Sequence, residues 1–387
     1  MRILTVDIGT GTQDIYLYDS RLAPENGLKL VLPSPTMMMF RRIKAATEAR
    51  QPIVLTGHQM GGGPSAWAAE AHARAGLAVY ATPEAATTLD DELDKVRAMG
   101  VQVISDDEAR RLDPEAVHLE LRDFDLSAIA SVLERFGVSL RHLDAIAVAV
   151  FDHGAAPPGT SDRQFRFDYL DRRIRAQNSL AAFAYLSTDI PPIMSRLRSV
   201  ALTARQLDCP FVVMDTAPAA VLGATFDPAV ASRPRKLIAN VGNFHTLAFR
   251  LGPGGIEGVF EHHTGEIDLP KLEALLRALA AGTLKHEDVF NDMGHGALIY
   301  TSDPLPLGRD EYDVFVTGPR RGMLPREASA AAGSLRPYYA VPFGDMMLAG
   351  CFGLLAATAV VLPDLGEAIH ASLSGDASQG VAPWDVS

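Results

Sequence analysis

Short runs of β-branched and apolar residues alternate with longer segments of helical spacing along this chain of 387 residues. Residues 2–8 (RILTVDI) and 15–19 (IYLYD) read as two strands around a Gly/Thr loop at 9–12, a hairpin on a tight turn. Between 51 and 105 the pattern switches repeatedly. IVLT (53–56), an alanine-rich helix near 65–76, LAVYAT (77–82), an amphipathic helix over 90–100 and VQVIS (101–105) follow one another as parallel α/β units do. AIAVAVF (145–151) and FVVMD (211–215) read as buried strands, with a polar loop expected over 155–172 and a helix near 193–207. KLIANVG (236–242) turning into HTLAFRL repeats the strand–Gly–strand arrangement of 2–19. A helix over 269–282, a strand VFVTG (314–318) and an apolar helix of small residues over 345–361 complete the pattern.

The length predicts two domains. The expected division is a first domain over 1–230 with an α/β insertion near 51–150 and a second over 231–343. A helix over 344–370 would return to the domain interface, and 371–387 would be a flexible tail. A net charge of −12 with no long Lys/Arg run argues against a nucleic-acid partner, because phosphate binding needs a basic surface. Cys209 and Cys351 sit in apolar surroundings and read as free thiols of a reducing compartment, so a cytoplasmic location is expected. MRILTVDIG reads as a strand and not as a signal peptide. Met346–Leu362 carries no charge but falls short of the ~20 residues of a membrane span; its small residues and flanking Asp345 and Asp364 predict a buried helix and no membrane.

Candidate chemistry lies in five segments. Asp7-Ile8-Gly9-Thr10-Gly11-Thr12 sets a strand-end carboxylate beside a turn whose glycines let backbone N–H groups approach an anion. The same pattern also makes an ordinary hairpin. Asp215 ends a strand and opens a helix of small residues, Ala217–Ala224, suited to close packing at a hinge. Asn240-Val241-Gly242-Asn243-Phe244-His245-Thr246 is the second glycine turn. Gly318 ends a strand, where a planar ring can lie against backbone, and Gly344–Gly350 opens the second small-residue helix.

These five segments, in this order over nearly the whole length, resemble phosphate 1, connect 1, phosphate 2, adenosine and connect 2 of the sugar kinase, Hsp70 and actin superfamily. The stretches TGHQMGGGP, VFDHG…SDRQFRF, ANVGNFHTLAF and GDMMLAGCFGLL resemble an actin-like family sometimes labelled pyruvate formate-lyase-activating. The resemblance implies an α/β fold of two related ribonuclease H-like (actin-like ATPase) domains, with ATP and Mg2+ in the cleft between them. It implies that Asp7, Gly9, Thr10, Gly11 and Thr12 hold phosphate and that Gly242, Asn243, His245 and Thr246 form the second phosphate turn. Gly318 would hold adenosine, and Asp7 and Asp215 would serve the metal or its water. Two departures matter. The second phosphate turn of relatives starts with Asp where this chain has Asn240, which offers magnesium no charge. A radical activase resembles CxxxCxxC, which two cysteines cannot supply.

Outside the five segments, His58–Gly63 is either a ligand loop or a tight bend. Asp152, at the end of a buried strand, is a candidate base for a substrate hydroxyl, with Arg163 and Arg166 as anion holders, or else part of a charged loop. His262, His263 and Glu266, with His286 or His295, make a loose metal pattern that is more simply structural. The sequence thus predicts a nucleotide-binding protein, a slow ATPase or phosphotransferase. Two rivals stand beside it: a non-catalytic switch read by a protein partner, and a kinase that uses Asp152 on a small-molecule substrate.

Overall fold

The strands that carry the molecule follow the expected order. The chain opens with β1 (Arg2–Ile8), β2 (Thr12–Asp19) and β3 (Leu28–Pro33). Four short strands come next, β4 (Ile53–Gly57), β5 (Val79–Ala81), β6 (Val101–Val103) and β7 (Val117–Leu121), then β8 (Ala145–Val150), β9 (Ala184–Leu186) and β10 (Phe211–Asp215). The C-terminal half adds β11 (Lys236–Val241), β12 (His245–Gly252), β13 (Gly255–His263), β14 (Gly296–Ile299), β15 (Val314–Thr317) and β16 (Pro337–Tyr339). The computed structural model describes residues 1–112, 115–326, 334–375 and 380–386.

The first sheet has the order β3-β2-β1-β8-β10-β9 and the second β14-β13-β12-β11-β15-β16. Each contains an antiparallel three-strand meander whose first strand pairs in parallel with one later strand, which pairs in parallel with another. In both, the order of the equivalent strands is 3-2-1-4-5, so this is a duplicated ribonuclease H-like fold, the actin-like ATPase architecture. β8 and β10 are buried along their whole length because they are central and covered on both faces, which is why they read as continuous apolar runs. One face of the first sheet (Leu4, Val6, Val148) continues into Ile238, Leu247 and Phe249 of the second as one apolar cluster. The opposite face packs Ile3, Tyr16 and Tyr18 on Cys351, Phe352 and Leu355. A third, all-parallel sheet of order β6-β5-β4-β7 lies between β3 and β8 in the chain and has its own core.

The small-residue segment forms a helix over Ala349–Val361, later than expected because Pro342–Gly344 is a 3-10 turn with Phe343 at φ 49°. No helix among the described residues is long and apolar enough to cross a membrane. The polar loop expected over 155–172 is a helix from Asp162 to Ala176. Its buried face carries Phe167, Leu170 and Ile174, and an Arg/Asp-rich outer face hid that stripe in the sequence. Of the expected tail, residues 371–373 continue the helix Pro363–Leu373 and Val381 N–H donates to Arg21 O at 3.0 Å; 376–379 and 387 lie outside the described residues.

Candidate functional site

Both glycine turns are built alike. Gly9 N–H donates to Thr12 O at 2.9 Å, and Gly242 N–H to His245 O at 3.0 Å. Each turn joins the first two strands of its sheet, which makes Asp7 the counterpart of Asn240 and Thr12 that of His245. The turns face one another: a Cβ at Gly11 would come within 2.6 Å of Asn243 Nδ2. Between them opens a cavity of about 580 Å³ whose wall includes Gly9–Thr12, Gly242, Asn243, His245 and Gly318.

Asp7 and Asp14 stand directly opposite each other on β1 and β2, so their side chains share a face. Both are buried and both lie on the cavity wall. Burial pushes Asp7 up to about 6, with Thr216 Oγ1 opposing by donating to Asp7 Oδ1 at 2.6 Å and Asp215 adding to the rise. Burial, then the neighbouring Asp7, pushes Asp14 up to about 8. Asp14 Oδ1 is buried without a hydrogen-bond partner among the described residues. Two like-charged carboxylates with a spare buried oxygen fit a hard divalent cation and its waters. Gly350 has no room for a Cβ, which would overlap the Asp7 carboxylate. Gly318, at φ 96°, is likewise crowded by Asn240 Oδ1 and Val241 O.

Several sequence expectations change here. Asp215 is 3% exposed and off the cavity wall: the Arg166 guanidinium donates to its Oδ2, while its Oδ1 accepts Ala217 N–H at 3.0 Å. A carboxylate neutralised in this way is not offered to a metal or a substrate. Thr246 is fully buried and turns to Thr264 Oγ1 at 2.9 Å, away from the cavity. Arg163 is spent on the Phe290 and Gly294 carbonyls, and Arg166 on Asp215 and Glu261, so neither is an anion holder. Asp152 does reach the wall, with one oxygen accepting Gly154 N–H at 2.8 Å and the other Leu197 N–H at 2.9 Å; burial raises its pKa, and those two N–H groups oppose the rise. His262 turns to Asp292 at 3.3 Å and His286 to Gln164 at 2.9 Å. His263 and His295 instead meet His245, a grouping the spacing along the chain did not suggest.

Two features of the wall were read only in part or not at all in the sequence, where His58–Gly63 was a candidate ligand loop. Asp14 was legible in principle, because the Gly9–Thr12 turn pairs position 7 with 14. The far half of the cavity comes from around the third sheet: Gln59–Gly63 and Thr87–Asp91, and Trp67 and Glu70 of the helix Pro64–Arg74, with Arg196 held by Asp123 at 2.7 Å. Gly61 and Gly62 are required by packing, since a Cβ at either would press on Arg196 or on Thr88 O at 2.6 Å. The wall is strongly acidic, through Asp7, Asp14, Glu70, Asp90, Asp91 and Asp162.

No curated protein matches the chain. Among solved structures, the ethanolamine utilization protein EutJ from Carboxydothermus hydrogenoformans is similar over 92% of this chain and 89% of its own, at 10% identity and a TM-score of 0.34. The activator of 2-hydroxyisocaproyl-CoA dehydratase from Clostridium difficile, with bound ADPNP, is similar over 98% of this chain and 97% of its own, at 9% identity and a TM-score of 0.32. A ROK hexokinase from Thermus thermophilus covers 66% of this chain and 47% of its own, at 11% identity and a TM-score of 0.23. At such scores the fold assignment rests on the strand order of the two sheets. The model of the family DUF1786, "Putative pyruvate format-lyase activating enzyme", matches residues 60–323, well over half of the chain, and the chain therefore belongs to that family.

Proposed function

We propose that this protein binds a nucleoside triphosphate together with Mg2+ in the cavity between its two ribonuclease H-like sheets, and hydrolyses it slowly or passes its phosphate to a second ligand. The observation that carries the reading is the pair of matching glycine turns, face to face, beside the Asp7/Asp14 carboxylates. Backbone N–H groups of such turns hold phosphate oxygens, and the carboxylates would hold the hydrated ion. Gly318, with no side chain to stand in the way, is the surface on which the base would lie. An acidic wall repels a bare triphosphate, so the cation would be indispensable. The family's radical-activating description does not carry over, because Cys209 and Cys351 cannot supply three cluster thiolates.

A second reading, a switch without useful turnover, is favoured by Asn240, which stands where the first turn has Asp7. Calorimetry with ATP, ADP and GTP, with Mg2+ and with chelator, tests both. Mg2+–nucleotide binding should vanish on chelation and weaken about tenfold to a hundredfold in Asp7→Ala, the equivalent of ~1.5–3 kcal/mol for one charged partner. Unchanged affinity in a folded Asp7→Ala variant would remove the nucleotide reading. Raised turnover in Asn240→Asp would favour catalysis limited by ion placement, and an unchanged rate would favour the switch.

A further inference from the structure

We infer that His245, His263 and His295 form a binding site for one divalent transition-metal ion of the zinc class at the inner edge of the cavity, with an open coordination position facing it. His245 begins β12 and His263 ends β13, and the two are directly paired across the antiparallel ladder, so their side chains share a face. His295 precedes β14 and is fixed there by its own N–H, which donates to Glu261 O at 2.9 Å. The three rings lie 4.7–5.1 Å apart between centroids. One nitrogen from each falls within 4.8 Å of the others. A tetrahedral ion with N–metal bonds near 2.0–2.1 Å sets its ligand nitrogens roughly 3.3 Å apart, so small ring rotations would close the site.

The surroundings favour a ligand over simple packing. Burial lowers the pKa of all three imidazoles, most for His245 and His295; His263 lowers His245 further, and His245 and His263 both lower His295. A metal binds an imidazole through a ring-nitrogen lone pair, and the fold brings one such nitrogen from each of the three rings together. His295 Nδ1 and Glu261 Oε1, 3.4 Å apart, are both fully buried and lack a hydrogen-bond partner among the described residues. A carboxylate behind a histidine is the arrangement that orients a metal-bound ring. With Nδ1 turned to Glu261, Nε2 is left for the ion. Phe151 stacks on His245 at 4.2 Å and closes one side, while His245 itself reaches the cavity wall. Three histidines and an open position are the donor set of an ion that takes a water or a ligand oxygen. The site shares His245 with the second glycine turn but uses neither Asp7 nor Asp14, so it can be tested without nucleotide.

The test titrates the full, metal-stripped chain with Zn2+ alone, without nucleotide, and records the visible spectrum with Co2+. One equivalent should bind, with the intense visible bands of tetrahedral Co2+. His263→Ala, at a half-buried position, should weaken binding at least a hundredfold while circular dichroism stays native. Glu261→Gln should weaken it about tenfold to a hundredfold. His153→Ala should leave the first equivalent unchanged, because His153 belongs to a separate group with Asp91 and Asp162. Absence of stoichiometric Zn2+, absence of the Co2+ bands, or loss in His153→Ala with retention in His263→Ala would each overturn the assignment.

Discussion

Asp7 and Asp14 place on the cavity wall two buried carboxylates whose charge a bound cation would stabilise. Their pKa values are raised to about 6 and about 8 from 3.8. A carboxylate raised above its unfolded value stabilises the fold below the unfolded pKa, and that contribution is lost as pH climbs through the folded one. The groups facing the pair are Thr216 and Thr12, which hold Asp7 and Asp14 down respectively, and Asp215 and Asp345, which push upward. The metal-free protein should therefore lose stability between about pH 4 and pH 8. Mg2+ or Asp14→Asn should flatten the slope. Thermal unfolding across this range checks it, and a stability that rises with pH in the same window would contradict it. The contrast with Asp215 shows what a sequence leaves unread. Both aspartates end apolar strands and look alike in the chain. Only the fold brings Arg166, 49 positions away, onto Asp215 and leaves Asp7 facing the cavity. Thr246 misled for the same reason: its turn was legible, but its partner Thr264 opens the 3-10 turn that follows β13.

At the scale of elements, the two small-residue helices Thr216–Ala224 and Ala349–Val361 cross at glycine. A Cβ on Gly223 would overlap Ala349 O, and one on Gly353 would overlap Ala219 O. Gly353→Ala therefore sets two effects against each other. Helix propensity favours Ala by up to about 1 kcal/mol, whereas forcing atoms into a packed crossing costs about 1–3 kcal/mol or more. With the intruding atom meeting backbone rather than a flexible side chain, the overlap wins. The variant should be less stable than wild type, while Val360→Ala on the exposed side should change stability by less than about 0.5 kcal/mol. A stabilised Gly353→Ala protein in chemical denaturation would show that the helices have slack. Composition made these helices and the paired hairpins readable, because glycine and alanine at a crossing and glycine at a turn answer local demands. The helix Asp162–Ala176 and the strand β3 were not readable. Leu28 and Val31 of β3 are exposed, and the helix presents mainly charge outward, so neither shows a clean period.

For the whole molecule, one buried cation ties the halves together. Arg166 is fully buried on the helix Asp162–Ala176; its Nε donates to Glu261 Oε2 on β13 at 2.8 Å, and its Nη1 donates to Asp215 Oδ2 at the end of β10. One side chain thus binds a strand of each duplicated sheet. Through Glu261 it also reaches His295, and through Asp215 it reaches the start of the helix Thr216–Ala224, whose Thr216 donates to Asp7. Removing it would strand two carboxylates where water does not reach. Breaking a buried pair from one side typically costs about 3–5 kcal/mol, so Arg166→Ala should unfold at markedly lower denaturant. The penalty belongs to the orphaned charges rather than to the lost side chain. Neutralising both carboxylates in Arg166→Met/Asp215→Asn/Glu261→Gln should therefore recover part of the stability that Arg166→Met alone loses. A triple variant no more stable than Arg166→Met would place the cost in lost packing instead, and an Arg166→Ala protein as stable as wild type would mean that the apolar cluster shared by the two sheets holds them together without the arginine.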